Sequence, residues 1–214
     1  MKLQTHQMDI WTGEFGRAYT DRMTFPDADA LRKRYVARYG ATREDLSREW
    51  LADVPRNARI LEVGSNVGHQ LRCLKEIGFH HLFGIEIQRY CVDKAKVLTP
   101  GVDIIEATGF DIPFKDGYFD LVFTNNVLIH IAPDDQPRIM DEMYRVTRRF
   151  IWGFEYYSPA VTEISYRGNS NLLWKADYAE LFRQQFPNLK TTRENRYECR
   201  DEPGTVDKAY LLEK

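Results

Sequence analysis

The segment from Arg59 to Gly68 constrains the fold more than any other part of the chain. Arg59–Gly64 is a short β-rich run that ends in a glycine, and a second glycine, Gly68, follows four residues later. Gln70–Ile77 then has the pattern of a helix that ends at Gly78. A buried strand, a glycine loop and a helix in this order are typical of a parallel α/β sheet.

Strands and helices continue to alternate after this unit. The predicted strands are Leu82–Ile87, Val102–Glu106, Tyr118–Thr124, Phe150–Phe154 and a terminal pair, Lys190–Glu198 and Lys208–Glu213. The predicted helices are Tyr90–Leu98, Gln136–Val146 and Trp174–Gln185. We expect an α/β, Rossmann-like, mostly parallel seven-stranded sheet with helices on both faces. Ligands of such sheets bind beyond the carboxyl ends of the strands.

Residues 1–55 have a different character, because they lack strand patterning. Helices are predicted there at Gly13–Met23 and Asp27–Ala52, and Pro55 closes the region. We interpret residues 1–55 as an N-terminal helical cap or lid and residues 56–214 as the core, within one domain overall. A chain of 214 residues is long enough for one α/β domain and too short for two of comfortable size.

Composition argues against several classes of protein. The net charge is −2 and the basic clusters are short, whereas proteins that bind nucleic acid usually have a basic excess or a basic face. The three cysteines are isolated from one another, which argues against a disulfide framework. The His80-His81 pair has no third ligand in view, which argues against a metal site. No stretch approaches the length of a transmembrane helix. We expect a cytoplasmic protein without nucleic-acid or membrane partners, as a monomer or a homodimer.

The loop from Gly64 to Gly68 predicts a cofactor site. Its two glycines let a ligand approach the backbone closely, but their spacing does not fit the dinucleotide pattern GxGxxG. Glu62, inside the strand end, would repel a pyrophosphate and suits the cationic amino acid end of S-adenosylmethionine (SAM). Ser65 and Asn66 lie within the same loop.

The ends of the next three strands add further candidate contacts. Glu86 ends the second strand, 22 residues after Gly64, where a carboxylate can accept both hydroxyls of a ribose. A solvated or salt-bridged carboxylate is the alternative. Ala107–Phe114 follows the third strand and fits a wall for an adenine, and Asn125 and Asn126 follow the fourth strand, where ordinary loop capping explains them equally well.

These residues resemble the motifs of class I SAM-dependent methyltransferases. The similarity rests on EVGSNVGHQL, the acid at Glu86, IPFKDGYFDLV and NNVLIHI, within about Arg59–Val146. It implies that Gly64–Gly68 meets the methionine end of SAM, Glu86 the ribose and the Thr108–Phe110 loop the adenine. The acidic residue that usually contacts the adenine amine aligns with Thr108. Adenine recognition then falls to Thr108, to the backbone at Gly109 and Phe110, or to Asp111.

The flanks resemble a smaller family, the methylases associated with pseudaminic acid biosynthesis. The similarity rests on QMDIWTGEFGRAYTDR near the N-terminus, EYYSPAVTEISYRGNSNLLWKADYAELF after the fifth strand and the closing AYLLEK. It implies a small methyltransferase linked to modified nine-carbon sugars of bacterial surface glycans. The resemblance does not identify the acceptor; we expect a small molecule, for which a sugar or a nucleotide-sugar is one candidate.

Aromatic residues in both flanks bear on the acceptor. Trp11, Phe15 and Tyr19 recur at intervals of four on one helix face. They fit either core packing or a lid over SAM, with Tyr19 or Arg22 reaching the methionine carboxylate. A second group fits either a sugar-like acceptor site or a packed hairpin, and comprises Tyr156, Tyr157, Glu163, Tyr166, Arg167 and Trp174.

Catalysis of methyl transfer needs mainly positioning, because the cofactor supplies the electrophile. An oxygen acceptor also needs a base, whereas an amine needs only to be neutral. His130, after the fourth strand, and Glu155, at the end of the fifth, are the candidate bases, and Tyr157 is a third candidate catalytic residue. His130 fits a loop cap equally well. The sequence leaves open whether nitrogen, oxygen or carbon is methylated.

The predicted function is therefore a SAM-dependent methyltransferase for a small molecule, with S-adenosylhomocysteine (SAH) as product. A NAD-dependent oxidoreductase on a similar fold and a non-catalytic SAM-binding subunit are the alternatives. The missing GxGxxG pattern argues against the first, and the intact glycines and acid argue against the second. The predicted cofactor contacts are Tyr19, Arg22, Glu62, Gly64, Ser65, Asn66, Gly68, Glu86, Ile87, Thr108, Gly109, Phe110 and Asn125.

Overall fold

The fold is described from a computed structural model, which covers residues 4–214. It contains nine strands, β1 Arg59–Val63, β2 His81–Glu86, β3 Asp103–Glu106, β4 Phe119–Asn125, β5 Thr147–Tyr156, β6 Thr162–Glu163, β7 Trp174–Lys175, β8 Lys190–Glu198 and β9 Val206–Glu213. Seven of them form the central sheet in the order β3-β2-β1-β4-β5-β9-β8, and β6 and β7 form a separate pair.

The sheet is mostly parallel, as the sequence predicts. β1 to β5 run parallel to one another, whereas β9 is antiparallel to both β5 and β8. The chain proceeds from β1 outward to β3 and then crosses to β4 on the other side of β1. This reversal places a crevice at the carboxyl ends of β1 and β4, where ligands of open α/β sheets bind.

Helices cover both faces of the sheet. They are α1 His6–Thr12, α2 Glu14–Met23, α3 Ala28–Tyr39, α4 Arg43–Trp50, α5 His69–Glu76, α6 Arg89–Leu98, α7 Gln136–Val146 and α8 Tyr178–Gln185. Alternate side chains of β4 enter the two cores: Val122 packs with α7 and α8, and Phe123 packs with α4 and α5. No helix within residues 4–214 is long and apolar enough to cross a membrane.

The N-terminal region contains four helices rather than the two predicted. The expected helix Asp27–Ala52 is wrong, because the chain breaks at Gly40, which caps α3 with a left-handed φ of 76°. Thr42 then starts α4, and its hydroxyl accepts the backbone N–H of Asp45 at 3.1 Å. A glycine C-cap followed by a threonine N-cap ends one helix and begins another.

The predicted helix Trp174–Gln185 also begins later than expected. Trp174 and Lys175 pair with Glu163 and Thr162 in the small β6–β7 sheet. The helix starts only after Asp177, whose carboxylate accepts the N–H of Glu180 at 3.2 Å. This N-cap sets the boundary that the hydrophobic pattern alone does not reveal.

Candidate active site

A cavity of about 530 Å³ opens at the carboxyl ends of β1, β2 and β4. Residues of α1, α2 and α3 also line it, so the N-terminal helices form part of its wall. The predicted cofactor residues that line it are Tyr19, Glu62, Gly64, Ser65, Asn66, Glu86, Ile87, Thr108, Gly109, Phe110 and Asn125. The fold thus brings predicted residues from five separate segments of the chain together at the carboxyl edge of the sheet.

The loop after β1 contains two glycines that a larger residue could not replace without strain, and the two have different roles. Gly64 has a φ of 73°, and a Cβ there would lie 2.7 Å from Cγ2 of Val127. Gly68 has a φ of 79° and starts α5, and a Cβ there would lie 2.6 Å from Cδ1 of Ile104. Gly68 does not line the cavity. Its role in this structure is to turn the chain into α5, whereas Gly64 forms part of the wall.

Glu86 is held rigidly at the end of β2. Its Oε2 accepts the backbone N–H of Asn66 at 2.9 Å, and its Oε1 accepts the backbone N–H of Gln88 at 3.0 Å. The side chain is buried, and burial raises the pKa of the carboxyl even though these backbone bonds lower it. Each oxygen keeps a lone pair after its backbone bond, so the carboxylate can still accept two ligand hydroxyls.

Glu62 is a buried carboxylate without a full set of partners. Its Oε2 has no hydrogen-bond partner among the described residues. Burial raises the pKa of Glu62 well above its usual range, with opposing effects from the Arg43 guanidinium and the Glu86 carboxylate. An unpartnered carboxylate on a cavity wall is a suitable neighbour for a cationic ligand group, which would stabilise its ionised form.

The loop after β3 forms part of the cavity wall. The backbone N–H of Phe110 donates to the Thr108 hydroxyl at 3.2 Å. A Cβ at Gly109 would lie 2.7 Å from Cδ1 of Ile139, so the loop can pack this closely only with glycine. Asp111 is exposed and does not line the cavity. Of the groups considered for adenine recognition, the structure therefore places Thr108, Gly109 and Phe110 at the cavity.

The aromatic stripe of α1 and α2 lies across the opening. Trp11 packs edge-on against Phe15 and Tyr19, with centroid distances of 5.4 and 5.1 Å, and lies 4.5 Å from the His130 ring. On the opposite side, the ring of Tyr166 is 5.3 Å from that of His130. Trp11 and Tyr19 line the cavity and are only half-buried, so they form part of its wall.

Polar contacts attach α1 and α2 to the segments that follow β1 and β2. The side-chain amide of Asn66 donates to the Thr20 hydroxyl at 3.1 Å, and the side-chain amide of Gln88 donates to the carbonyl of Trp11. Sequence reasoning missed Thr20 and Gln88. Gln88 lies two residues after Glu86, so the strand end is a signal for it, but Thr20 becomes relevant only through tertiary structure.

His130 lies on the cavity wall with a defined tautomer. Its Nδ1 is 2.8 Å from the carbonyl oxygen of Leu172 and must donate to it, which leaves Nε2 as an acceptor. Burial lowers the pKa of His130 to about 4, so the ring is neutral at pH 7. A neutral imidazole can accept a hydrogen bond or a proton from a ligand group in the cavity.

Comparison with known proteins yields one family. The family model described as a methyltransferase domain matches residues 61–149. An uncharacterized methyltransferase of Mycolicibacterium gilvum is 32% identical over 108 residues, which are 49% of this chain and 41% of that protein. The chain spans less than half the length of the curated relatives it matches.

Solved methyltransferase structures have the same fold. The 1,6-didemethyltoxoflavin-N1-methyltransferase of Burkholderia thailandensis, solved with 1,6-didemethyltoxoflavin and SAH, has a TM-score of 0.72 at 16% identity, over 100% of this chain and 92% of that one. The magnesium protoporphyrin IX methyltransferase of Synechocystis PCC 6803, solved with SAM, has a TM-score of 0.70 at 14% identity, over 100% of both chains. At these identities the likeness concerns the fold.

Residues 61–149 thus match a methyltransferase domain, and the chain has the α/β fold of solved SAM-dependent methyltransferases. The segment matched to the methyltransferase model begins inside β1 and ends inside β5. It therefore contains the glycine loop, Glu86, Thr108–Phe110 and His130. Helices α1 and α2 lie outside it.

Two predicted catalytic residues lie away from the cavity. Glu155 is 1% exposed, and its two oxygens accept the backbone N–H of Val127 at 3.2 and 3.0 Å. Burial raises the pKa of Glu155 to about 7. The Tyr157 hydroxyl accepts a hydrogen bond from Arg196 on β8 at 2.5 Å. Neither residue lines the cavity, so the placement gives neither one a direct contact with a ligand there.

Arg22, which the sequence predicts to reach the methionine carboxylate of SAM, also lies away from the cavity. Arg22 is exposed, and its guanidinium lies 6.0 Å from the centre of the Tyr19 ring, outside the cavity wall. Tyr19 itself does line the cavity, and burial raises the pKa of its phenol, which therefore stays neutral and can donate a hydrogen bond.

Proposed function

We propose that this chain transfers the methyl group of SAM to a small-molecule acceptor. The observation that carries the proposal is the fixed, buried carboxylate of Glu86, bonded to the N–H groups of Asn66 and Gln88 at the cavity wall. A carboxylate fixed in this way is suited to the two hydroxyls of a ribose. Together with the glycine loop and the methyltransferase domain match, it supports a nucleoside-containing cofactor.

The remaining wall suits the other parts of SAM. Glu62 would accept a hydrogen bond from the cationic amino group, since its Oε2 is buried and unpartnered among the described residues. Thr108, Gly109 and Phe110 would hold the adenine, and Asn125 would lie near the sulfonium. When bound, SAM supplies an electrophilic methyl group. The role of the protein is then to orient the acceptor in line with it and to exclude water.

His130 is our proposed acceptor-positioning residue and base. Its Nε2 is free to accept, because Nδ1 donates to Leu172. A neutral ring can orient a hydroxyl or an amine and take up the proton released when the new bond forms. Glu155 has a different proposed role: it holds the loop at Val127 that carries His130.

A sugar or nucleotide-sugar of bacterial surface glycan biosynthesis is our proposed acceptor. The resemblance of both flanks to the pseudaminic acid-associated methylases supports it. Tyr156, Tyr166 and Arg167, which line the cavity, would supply ring faces for sugar C–H groups and a cation for an acidic group. We also propose that the chain works in the cytoplasm as a single domain, with residues 1–55 acting as its lid.

The oxidoreductase alternative is less well supported. A dinucleotide would bring its pyrophosphate to the loop beside Glu62, where a second carboxylate, Glu86, is also buried. Two acids at this place disfavour a dianionic group. A non-catalytic subunit is distinguished only by an assay, because it would bind SAM without turnover.

The test identifies the nucleotide that the protein retains and then its acceptor. Purified protein is denatured, and the released small molecules are identified by mass spectrometry, with SAM and SAH expected and NAD absent. SAH formation is then measured with SAM plus N-acetylneuraminate, its CMP-linked form or UDP-N-acetylglucosamine. Release of NAD instead of SAM or SAH would overturn the cofactor assignment. Turnover only with an acceptor that is not a sugar would overturn the sugar assignment.

A further inference from the structure

The cavity extends beyond the part assigned to SAM. Glu86 and Thr108–Phe110 lie at the ends of β2 and β3, whereas β5 lies on the other side of β4. Tyr156, at the end of β5, lines the cavity together with Tyr166, Arg167 and Arg38. We call the part lined by these four residues the acceptor end. We propose that Arg167 binds a carboxylate or phosphate group of the acceptor and thereby selects anionic substrates, an inference that rests on the proposed function.

Arg167 differs from the other arginines that line the cavity because it makes no ion pair with residues 4–214. Arg38 pairs with Asp201 at 3.0 Å and with Glu202 at 3.1 Å, and Arg34, which also lines the cavity, pairs with Asp201 at 2.7 Å. Arg167 makes no ion pair and no side-chain hydrogen bond with any other residue in the range 4–214. Its positive charge is therefore available to a ligand.

The local backbone makes an arginine at position 167 unexpected. Tyr166 and Asn169 exchange two backbone hydrogen bonds of 2.9 and 3.0 Å, and the two residues between them both have left-handed φ values, 51° for Arg167 and 82° for Gly168. A two-residue turn of this kind favours Asn followed by Gly. Arginine is disfavoured there because its Cβ crowds the following carbonyl. The turn itself thus gives no reason for an arginine.

A ligand contact does give a reason. The guanidinium of Arg167 lies over the Tyr166 ring, 5.7 Å from its centre, and that ring lies 5.3 Å from the His130 ring. An acceptor whose methylated atom is held by His130 could stack on Tyr166 and present an anionic group to Arg167. A guanidinium suits carboxylate and phosphate equally, since it donates two parallel N–H bonds to either.

The test uses three probes with one ring and different head groups: benzoate, phenyl phosphate and the neutral benzamide. Each is titrated into protein saturated with SAH, and its dissociation constant is measured by ligand-observed NMR. The wild type should bind at least one anionic probe roughly five- to tenfold more tightly than benzamide, the scale of one charged contact at a partly exposed site. Preference for benzoate or for phenyl phosphate identifies which anion the site takes.

Variants at position 167 separate binding from turn stability. Arg167→Asn should lose the preference for the anionic probe yet melt no lower than the wild type, because Asn tolerates the left-handed conformation. Arg167→Lys should retain most of the preference. The control is Arg17→Gln, since Arg17 is exposed, lies over the Tyr90 ring at 5.8 Å and does not line the cavity. This variant should bind all three probes as the wild type does.

Three results would overturn the inference while leaving the proposed function intact. They are equal binding of all three probes to SAH-saturated wild type, saturable binding of none of them, and an unchanged anion preference in Arg167→Asn. Failure of the wild type to bind SAH is a separate outcome, and it would contradict the proposed function itself.

Discussion

A hydrogen bond of 2.9 Å joins the backbone N–H of Asn66 to Oε2 of Glu86. It fastens the loop after β1 to the end of β2. The side chain of Asn66 also donates to Thr20 on α2, so one residue connects the proposed ribose-binding carboxylate to α2. Binding of the cofactor and the position of α2 should therefore be coupled.

Gly64 is expected to tolerate no side chain. Gly64→Ala combines a left-handed φ of 73° with a Cβ 2.7 Å from Val127, and should lower the free energy of unfolding by about 2–4 kcal/mol. SAH affinity should fall as well. Urea unfolding and calorimetric titration measure the two effects.

The matched control for Gly64 is Gly204→Ala. Gly204 has a φ of 83°, but nothing lies within 4 Å of the added Cβ. This variant should lose only about 1–2 kcal/mol of stability, from the backbone alone, and keep its SAH affinity. Equal losses in the two variants would show that the contact with Val127 has no effect.

The link between Thr20 and Asn66 predicts a kinetic effect. Thr20→Val keeps the side-chain shape but removes the hydroxyl that accepts from Asn66. Losing one such bond should speed SAH dissociation about fivefold, as measured by surface plasmon resonance. Thr12→Val is the control, because among residues 4–214 the Thr12 hydroxyl bonds only to the carbonyls of Met8 and Asp9. Similar dissociation rates in the two variants would argue against a role of the Thr20–Asn66 hydrogen bond in retaining SAH.

His130 is expected to affect turnover rather than cofactor binding. With an acceptor that is methylated, His130→Gln should lower kcat by about 100-fold, the scale of losing a positioned base, and leave SAH affinity little changed. His81→Gln, at the exposed start of β2, serves as control. Because the pKa of His130 is about 4, its titration should not reduce kcat/KM between pH 8 and about 5. A kcat unchanged in His130→Gln would remove His130 from the mechanism.

His69 should make the protein less stable in acid. Burial, with a smaller effect of Arg72, lowers the pKa of His69 to about 4 from its ordinary 6.5. Between these pH values the unfolded chain binds a proton that the folded chain does not. The stability contributed by neutral His69 is therefore complete above about pH 6.5 and is lost as pH falls toward 4, by up to about 3 kcal/mol.

Urea unfolding at pH 7 and pH 4.5 measures this effect. His69→Gln should show a smaller loss of stability between the two pH values than the wild type. His80→Gln, at an exposed position, should behave as the wild type does. The same loss in all three proteins would show that His69 does not titrate as its burial implies.

Much of the fold is predictable because buried parallel strands appear as continuous apolar runs. The predicted strands Leu82–Ile87 and Tyr118–Thr124 lie within one residue of β2 and β4 at each end. The errors occur where a capping residue overrides the pattern: Gly40 breaks one predicted helix and Asp177 delays the start of another. Cap geometry depends on single side chains and on φ, which periodicity does not encode.

The candidate site shows the same difference between residues that have a local sequence signal and residues that have none. Glu62, Gly64 and Glu86 are found from the sequence because the carboxyl ends of parallel strands meet at one edge. Positions after a strand are harder, since neighbouring side chains point to opposite sides: Tyr156 lines the cavity, whereas Tyr157 contacts Arg196. Residues that arrive from distant helices, such as Thr20 and Arg38, carry no local signal.

The most direct test of this account is calorimetric titration of SAH into the wild type, Glu86→Gln and Glu106→Gln. Glu106 is the register partner of Glu86 on β3, but it is exposed and lies outside the cavity. We predict that SAH binds the wild type and Glu106→Gln alike, and binds Glu86→Gln more weakly by about 1.5–3 kcal/mol, the loss of bonds to a charged group. No SAH binding to the wild type, or equal binding to all three proteins, would contradict the proposed cofactor site.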